Sequence, residues 1–303
     1  INIWGILELH IKLPSRFTRD TMYSFLERVI TPDGTPISNK IIFDCSTLTY
    51  IEPVAITILS NTIEWLNNRS VITGIHHPSI IVGSKFCPIT YLDDSMFFKR
   101  YEGETITRFA RVRPTTLPLE LISYNSSSFW IIDKFIPWLA RQVGVNTHSL
   151  SQFEVCVGEI FNNINDHSSE HIGCIYAQHY PNLKQIKIAI SDFGVGIPFS
   201  IQQKYPFLND AQALTEAIKE GVSIQSSPGN RGAGLTNIIT AVSANGGSVH
   251  IHSNAGIIEC ISGETGTHIA SKHANGYYPG TLFEIILNTN NIFDDEEEEE
   301  FEW

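Results

Sequence analysis

Apolar and polar positions divide the chain into two successive runs of strand and helix signals. In the first run, "WGILELHIKL" reads as a strand, and "TRDTMYSFLERVI" as an amphipathic helix with Thr18 or Asp20 available as its cap. After the loop "TPDGTPISN" come a short buried strand, "KIIFDC", and a second helix, "VAITILSNTIEWLN". "VITGI" predicts another strand, and "YLDDSMFFKRY" a third helix opened by its Asp residues, so this unit closes near residue 105. "GETITRFARVRPTTLPLE" reads as a linker into a second unit and carries Arg108, Arg111 and Arg113. The second run predicts a strand ("LPLELIS"), two helices ("FWIIDKFIPWLARQVG" and "SLSQFEVCVGEIFNNINDH") and two strands ("CIYAQHY" and "IKIAIS"). A Ser/Pro/Gly-rich stretch, a helix ("LTNIITAVSAN") and three strands ("GSVHIHS", "IIECIS", "TLFEIIL") complete it. There is no internal repeat. The expected fold class is α/β, with a unit over 1–105, a linker over 106–114, a second unit over 115–290 and a tail over 291–303.

A length of 303 residues suggests two domains, and 42% hydrophobic with 17% charged residues describes an ordinary globular protein. No apolar run reaches the length of a membrane span, and the start "INIWGILELHIKLPSR" lacks a basic flank and a cleavage site. It also lacks an initiator Met, which suggests trimming at that end. The net charge of −12 is concentrated in the tail, where Asp294, Asp295, Glu296 to Glu300 and Glu302 contribute eight negatives. Removing those eight leaves −4, a mildly acidic body without the basic stripe of a nucleic-acid surface. The tail should be disordered by self-repulsion or dock on a basic partner. Five cysteines, odd in number and scattered, fit reduced thiols in a cytoplasmic protein better than a disulfide framework or a zinc site.

Three stretches carry candidate chemistry. In "GEIFNNINDHSSEH", Glu159, Asn163 and His167 recur every four residues and share one helical face. Val155, Val157, Ile160, Phe161 and Ile164 are expected to pack elsewhere. Asn is a poor interior helix residue, because its side chain competes for backbone hydrogen bonds. A carboxylate on this stripe can activate water, and an amide oxygen can ligate a hard cation; a polar, solvent-facing stripe is the other reading. In "IKIAISDFGVGIP", a strand ends in Asp192, followed by Gly194 and Gly196. The carboxylate is placed to accept a hydrogen bond from an exocyclic amine, and the glycines let backbone come close beneath a flat ring. As a dinucleotide fingerprint the stretch fails, since position 199 is Phe; a plain turn after a strand is the alternative. In "SSPGNRGAGLTNI", Gly229, Gly232 and Gly234 lead into a helix at Leu235. Such a loop suits phosphate oxygens or is ordinary helix entry, and it lacks the Gly-Lys-Ser/Thr of a P-loop.

In this order the three stretches resemble the N, G1 and G2 boxes of the GHKL (Bergerat-fold) ATP-binding family, and "GTLFEIIL" is similar to that family's last core strand. The resemblance covers roughly residues 115 to 288. It implies an α/β sandwich whose sheet is mixed and largely antiparallel with helices on one face, and Mg²⁺ and ATP as cofactors. Asn163 would ligate Mg²⁺, and Glu159 would act as base or polariser. Asp192 would read the adenine amine with support from Thr281. Gly194 and Gly196 would floor the base, while Gly229, Gly232, Gly234 and Leu235 would form the phosphate loop. His167 occupies the place of a phosphate-proximal His or Lys. Asn163 is then tolerated because it holds the metal; Asn162 and Asn165 are unexplained.

"FDCSTLTYIEPVAITIL" resembles the central strand–loop–helix of a STAS domain through Asp44, Ser46, Tyr50, Ile51, Glu52 and Ile56. Pro53 stands where that family has its phosphorylated Ser, and Ala55 where it has Gly. The pair of resemblances implies a fused version of a bacterial-type partner-switching system with a protein partner, and leaves a homodimer open. Residues 106 to 128 cannot supply a histidine-kinase phosphoacceptor module. About 15 residues after the last strand cannot supply the γ-phosphate-binding domain of the gyrase and chaperone branches. A compact protein serine kinase, an ATPase or an ATP-dependent switch is the expected activity, with a non-catalytic nucleotide-gated scaffold as the alternative. "HSSEH", His167 to His171, also matches the zinc-protease pattern H-x-x-E-H, which needs both histidines on one continuing helix and a third ligand.

Overall fold

Two β-sheets flank one helix in the computed structural model, which describes residues 8–79, 87–122, 124–167, 172–219, 234–263 and 266–290. The first sheet has three parallel strands in the order β1 (Glu8–Lys12), β3 (Lys40–Asp44), β5 (Ile72–His76). A short parallel pair, β2 (Arg16–Phe17) and β4 (Tyr50–Ile51), lies beside it. The second sheet contains β6 (Thr116–Leu121), β7 (Ile172–Tyr180), β8 (Gln185–Phe193), β9 (Ser248–Gly263) and β10 (Gly266–Asn288). Its order is β6-β7-β8-β10-β9, and every neighbouring pair is antiparallel. The chain is thus a mixed α/β protein. Among the described residues no helix is long and apolar enough to cross a membrane.

The flanked helix is α2 (Pro53–Asn68). Pro53 suits its first turn, where no backbone N–H is needed. Every residue from Pro53 to Ile63 is buried. A helix buried on all sides lies between layers rather than on a surface, and α2 packs against β5 on one side and against β7 and β8 on the other. Most of its polar groups bond locally or across the seam, while Asn61 Oδ1 is a buried acceptor with no hydrogen-bond partner. Thr57 and Thr62 hydroxyls donate to the carbonyls of Val54 (2.9 Å) and Ile58 (2.7 Å), and Ser60 pairs with the Tyr101 hydroxyl at 2.5 Å. Asn61 donates its amide to the Ser191 hydroxyl, which also meets Tyr278 Oη at 2.7 Å.

The other face of the second sheet carries α6 (Ile136–Val143), α7 (Ser151–His167), α8 (Gly196–Lys204), α9 (Asp210–Ala217) and α10 (Gly234–Ala244). β8 is buried along nearly its whole length because both of its faces are covered. Ile186, Ile188 and Ile190 face the helical layer, while Ala189 and Phe193 belong to the core around α2. The sequence reading expects helices on one face only; α2 and its neighbours occupy the second. Charged pairs close the seam: Arg19 with Glu284, and Lys187 with Glu52 at 2.9 Å. Tyr23 Oη also bonds His252 Nδ1 at 2.8 Å.

Several elements differ from the periodicity. The first helix shrinks to α1 (Met22–Leu26) after a 3₁₀ turn over Arg19–Thr21. "YLDDSMFFKRY" splits into α3 (Pro88–Asp94) and α4 (Phe97–Tyr101), because Met96 takes a left-handed φ of 66°. Its aspartates close α3 instead of opening a helix. Asp93 accepts from the backbone N–H groups of Ile106 (2.8 Å) and Thr107 (2.9 Å), and Asp94 pairs with Arg113 at 2.8 Å. The linker is therefore pinned. The helix before Pro137 is α5 (Tyr124–Trp130) followed by a π turn over Ile131–Phe135, which leads into α6. The expected last three strands are two long ones, β9 and β10.

Because α2 belongs to one core with residues of both sheets, the two halves should melt together. Differential scanning calorimetry should give a single transition, and Leu59→Ala, fully buried in that core, should lower stability by about 2–5 kcal/mol while keeping the transition single.

Candidate functional site

Strand register builds the site. Successive side chains alternate faces, so one face of the second sheet is read as rows across β7, β8, β10 and β9. Ala177, Ile188, Ile285 and Val249 form one row, and Ile175, Ile190, Phe283 and Ile251 the next. All eight belong to the core under the helices. The row beyond them is Gly173, Asp192, Thr281 and Ser253. Apolar filling is therefore interrupted near the ends of β7 and β8, where a carboxyl and two hydroxyls stand beside a glycine without a side chain, before Ile258 and Cys260 resume it farther along β9.

Asp192 is buried, and its Oδ1 accepts the backbone N–H of Thr281 at 3.1 Å. The Thr281 hydroxyl pairs with Ser253 Oγ at 2.9 Å, and Ser253 Oγ donates to the Gly280 carbonyl at 2.7 Å. Support for Asp192 thus comes from the backbone of Thr281, whose hydroxyl goes to Ser253. Burial pushes the Asp192 carboxyl up to about 8, with the Thr281 N–H pulling the other way. In the free protein at neutral pH this carboxyl holds a proton, and a ligand amine would have to favour the ionised form.

The turn after Asp192 is fixed from two sides. Gly194 N–H donates to the Pro279 carbonyl at 3.2 Å. Gly196 has a φ of 78°, and a Cβ there would come within 2.6 Å of Asn254 Oδ1 and 2.7 Å of Ser253 Oγ. Both the dihedral and the contact require glycine. Gly280 is required in the same way, with a φ of 128° and the Asp192 carbonyl in the path of any Cβ. α8 starts at Gly196, and Ile197 N–H donates to Ser253 Oγ at 3.0 Å. Asn254 Nδ2 donates to the Val195 carbonyl at 3.1 Å, and its Oδ1 is a buried acceptor with no hydrogen-bond partner. Asp210, first residue of α9, accepts from Gln202 Nε2 and Ala255 N–H, both at 2.9 Å, so α8 and α9 are braced on β9.

α7 lies over this face and packs through Phe153, Cys156, Val157, Ile160 and Phe161. Val155, expected among the inward residues, is 62% exposed. Glu159 is half-buried, and its charge adds to the burial that pushes the Cys156 thiol up to about 11. The backbone carries Asn163 and His167 on the last turns of α7; their side chains, and that of Ile164, lie outside the described residues. Gly234 opens α10 and Leu235 is buried under it, whereas Gly229 and Gly232 lie outside the described residues. The structure therefore brings Asp192, Thr281, Gly194 and Gly196 together.

Ser253, Asn254, Asp210 and Gly280 escaped the sequence reading. The only signals are the loss of alternation at the end of "VHIHSN" and the glycine before Thr281. Among the described residues no group of three or more His, Cys, Asp or Glu gathers as a metal site. The Mg²⁺ assignment rests on Asn163. Of the H-x-x-E-H stretch, residues 168–171 lie outside the described residues, and β7 starts immediately afterwards at Ile172. No model of a known protein family matches the chain, and no curated protein matches it either.

The raised Asp192 sets a direction for stability. The unfolded chain loses this proton near pH 4 and the folded chain near 8, so its contribution is full below about 4 and is lost as pH rises to about 8. Urea denaturation of Asp192→Asn against wild type should show the variant gaining relative stability steadily from pH 5 to pH 8. A constant difference would mean that Asp192 is ionised throughout.

Proposed function

We propose that the chain binds Mg-ATP through the polar end of its second sheet and acts as an ATP-dependent switch, with ATP hydrolysis or serine phosphorylation of a protein partner as its chemistry. The observation that carries this reading is the Gly173–Asp192–Thr281–Ser253 row, which follows two wholly apolar rows at the ends of β7 and β8 and runs into the braced Gly194–Gly196 turn. A buried carboxyl beside a residue with no side chain, next to close-packed glycine backbone, suits a flat ring with an exocyclic amine. The order of elements supports it too, with a helix bearing Glu159 and Asn163 before the Asp192 strand and a glycine-rich stretch leading into α10 after it.

When bound, ATP supplies a transferable γ-phosphoryl group. In this reading Asp192 accepts from the base amine and Thr281 N–H holds the carboxylate. Gly194 and Gly196 let the backbone approach the ring. Asn163 is the metal ligand. Glu159, one turn earlier on α7, orients the attacking water or hydroxyl. Gly229, Gly232 and Gly234 offer backbone N–H groups to phosphate oxygens.

Asn163→Ala should abolish Mg-ATP binding in calorimetric titration while leaving the melting temperature unchanged; unaltered affinity would remove Asn163 from the site. Glu159→Ala should still bind Mg-ATP but lose turnover. Tracking γ-labelled phosphate in the wild type separates the chemistries, since label on protein marks a kinase and label in solution an ATPase. Normal turnover by Glu159→Ala would exclude it as the base.

A further inference from the structure

A cavity of about 580 Å³ lies on the far side of the Asp192–Gly194 turn, between α2 and the β10 segment that precedes Thr281. Strand alternation separates it from the polar row, because Phe193 on its wall points into the core around α2 and Asp192 points to the helical layer. The Gly194 N–H bond to the Pro279 carbonyl lies in the shared wall. Leu26, Ile30, Trp65, Phe193 and Tyr277 make its walls largely apolar and aromatic.

The cavity is a half-open cleft with a buried apolar floor and an exposed rim that includes Glu27, Arg69 and Tyr277. Trp65 and Phe193 are buried, and Phe193 is held edge-on by Tyr278, ring centroids 5.5 Å apart. In β10 the pairing register slips between His273 and Tyr278 and again before Thr281. That bulge turns Tyr278 into the core and leaves Tyr277 half exposed at the mouth. Arg69, just past the C-terminus of α2, stacks its guanidinium over Trp65 at 4.3 Å from the ring centroid and donates Nη1 to the Trp65 carbonyl at 3.4 Å. A cation is thereby held flat against an apolar wall, where it is less hydrated than in open solvent. Glu27 is the acidic residue on the same rim.

We propose that this cavity is a small-molecule site, distinct from the Asp192 row, for a planar apolar ligand bearing one anionic group, with the ring between the apolar walls and the anion on Arg69. The volume lies in the range of small-ligand pockets, and an apolar enclosure with few oriented polar groups is their usual composition.

The test is calorimetric titration of the full chain, without nucleotide, with 2-naphthoate and with the uncharged 2-naphthamide. The expected result is saturable one-to-one binding of the carboxylate, at least tenfold tighter than the amide. Arg69→Gln, at an exposed position, should reduce the carboxylate to the level of the amide, and Glu27→Gln should tighten it. Ile30→Trp, which places a bulky ring in the cavity wall, should weaken both; should that variant not fold, the two surface variants decide. Asn163→Ala should bind 2-naphthoate like wild type, so loss of nucleotide binding leaves this result standing. No saturable binding, equal affinity for the two probes, or an Arg69→Gln variant that binds unchanged would overturn the proposal.

Discussion

The burial of α2 between two sheets is the constraint on which the rest of the structure depends. A helix with one apolar stripe can be covered by one layer, but α2 is buried all round from Pro53 to Ile63. It must therefore have a sheet on each side. The three parallel strands supply one side, and β7 and β8 the other. Each sheet alone would expose a face of large apolar residues. Their shared core, running from Phe17 and Phe43 to Tyr176 and Leu282, makes the first hundred residues a structural part of the second unit. The polar contacts across it, Asn61 with Ser191 above all, set the seam's register, because a displaced helix would leave those groups buried without partners.

That constraint reaches the candidate site through a single strand. β8 carries Ser191 and Phe193 toward α2 and Asp192 toward the helical layer, so the two faces of one strand end serve different purposes. The turn beyond it is clamped by Pro279 on one side and by Ser253 and Asn254 on the other. Its geometry is thus held by backbone and by short polar side chains. A carboxyl kept dry at this point is costly to ionise, which is the condition under which a single hydrogen-bond donor from a ligand has the largest effect.

The features legible in the sequence were those set by local physics. β8, α2, α7 and α10 carry strong periodicity, and the structure has all four. Asp192, Gly194 and Gly196 stood out because a strand ending in a carboxyl and two glycines breaks an apolar run. Illegible features depended on distant partners. The stretches "NAG" and "HANGYYPG" fall between the expected strands, yet they lie within β9 and β10, where the antiparallel pairing on either side carries the chain through a register shift. The short α1 and the broken α3–α4 reflect packing against the same core and a left-handed residue at Met96. Nothing near Asp93 in sequence announces that it pins residues 106 and 107.

By itself, the sequence determined the α/β class, most of the helices and central strands, and the identity of the residues at the strand end, because amphipathic period and glycine or carboxyl placement are local properties. Only the tertiary structure decided that Gly173, Asp192, Thr281 and Ser253 form one row, since register across four strands comes from pairing between segments up to about a hundred residues apart. It also decided that α2 covers the back of that sheet and leaves an aromatic cavity beside the same turn. Which face a buried helix shows to which sheet is a matter of packing, and no window of the chain encodes it.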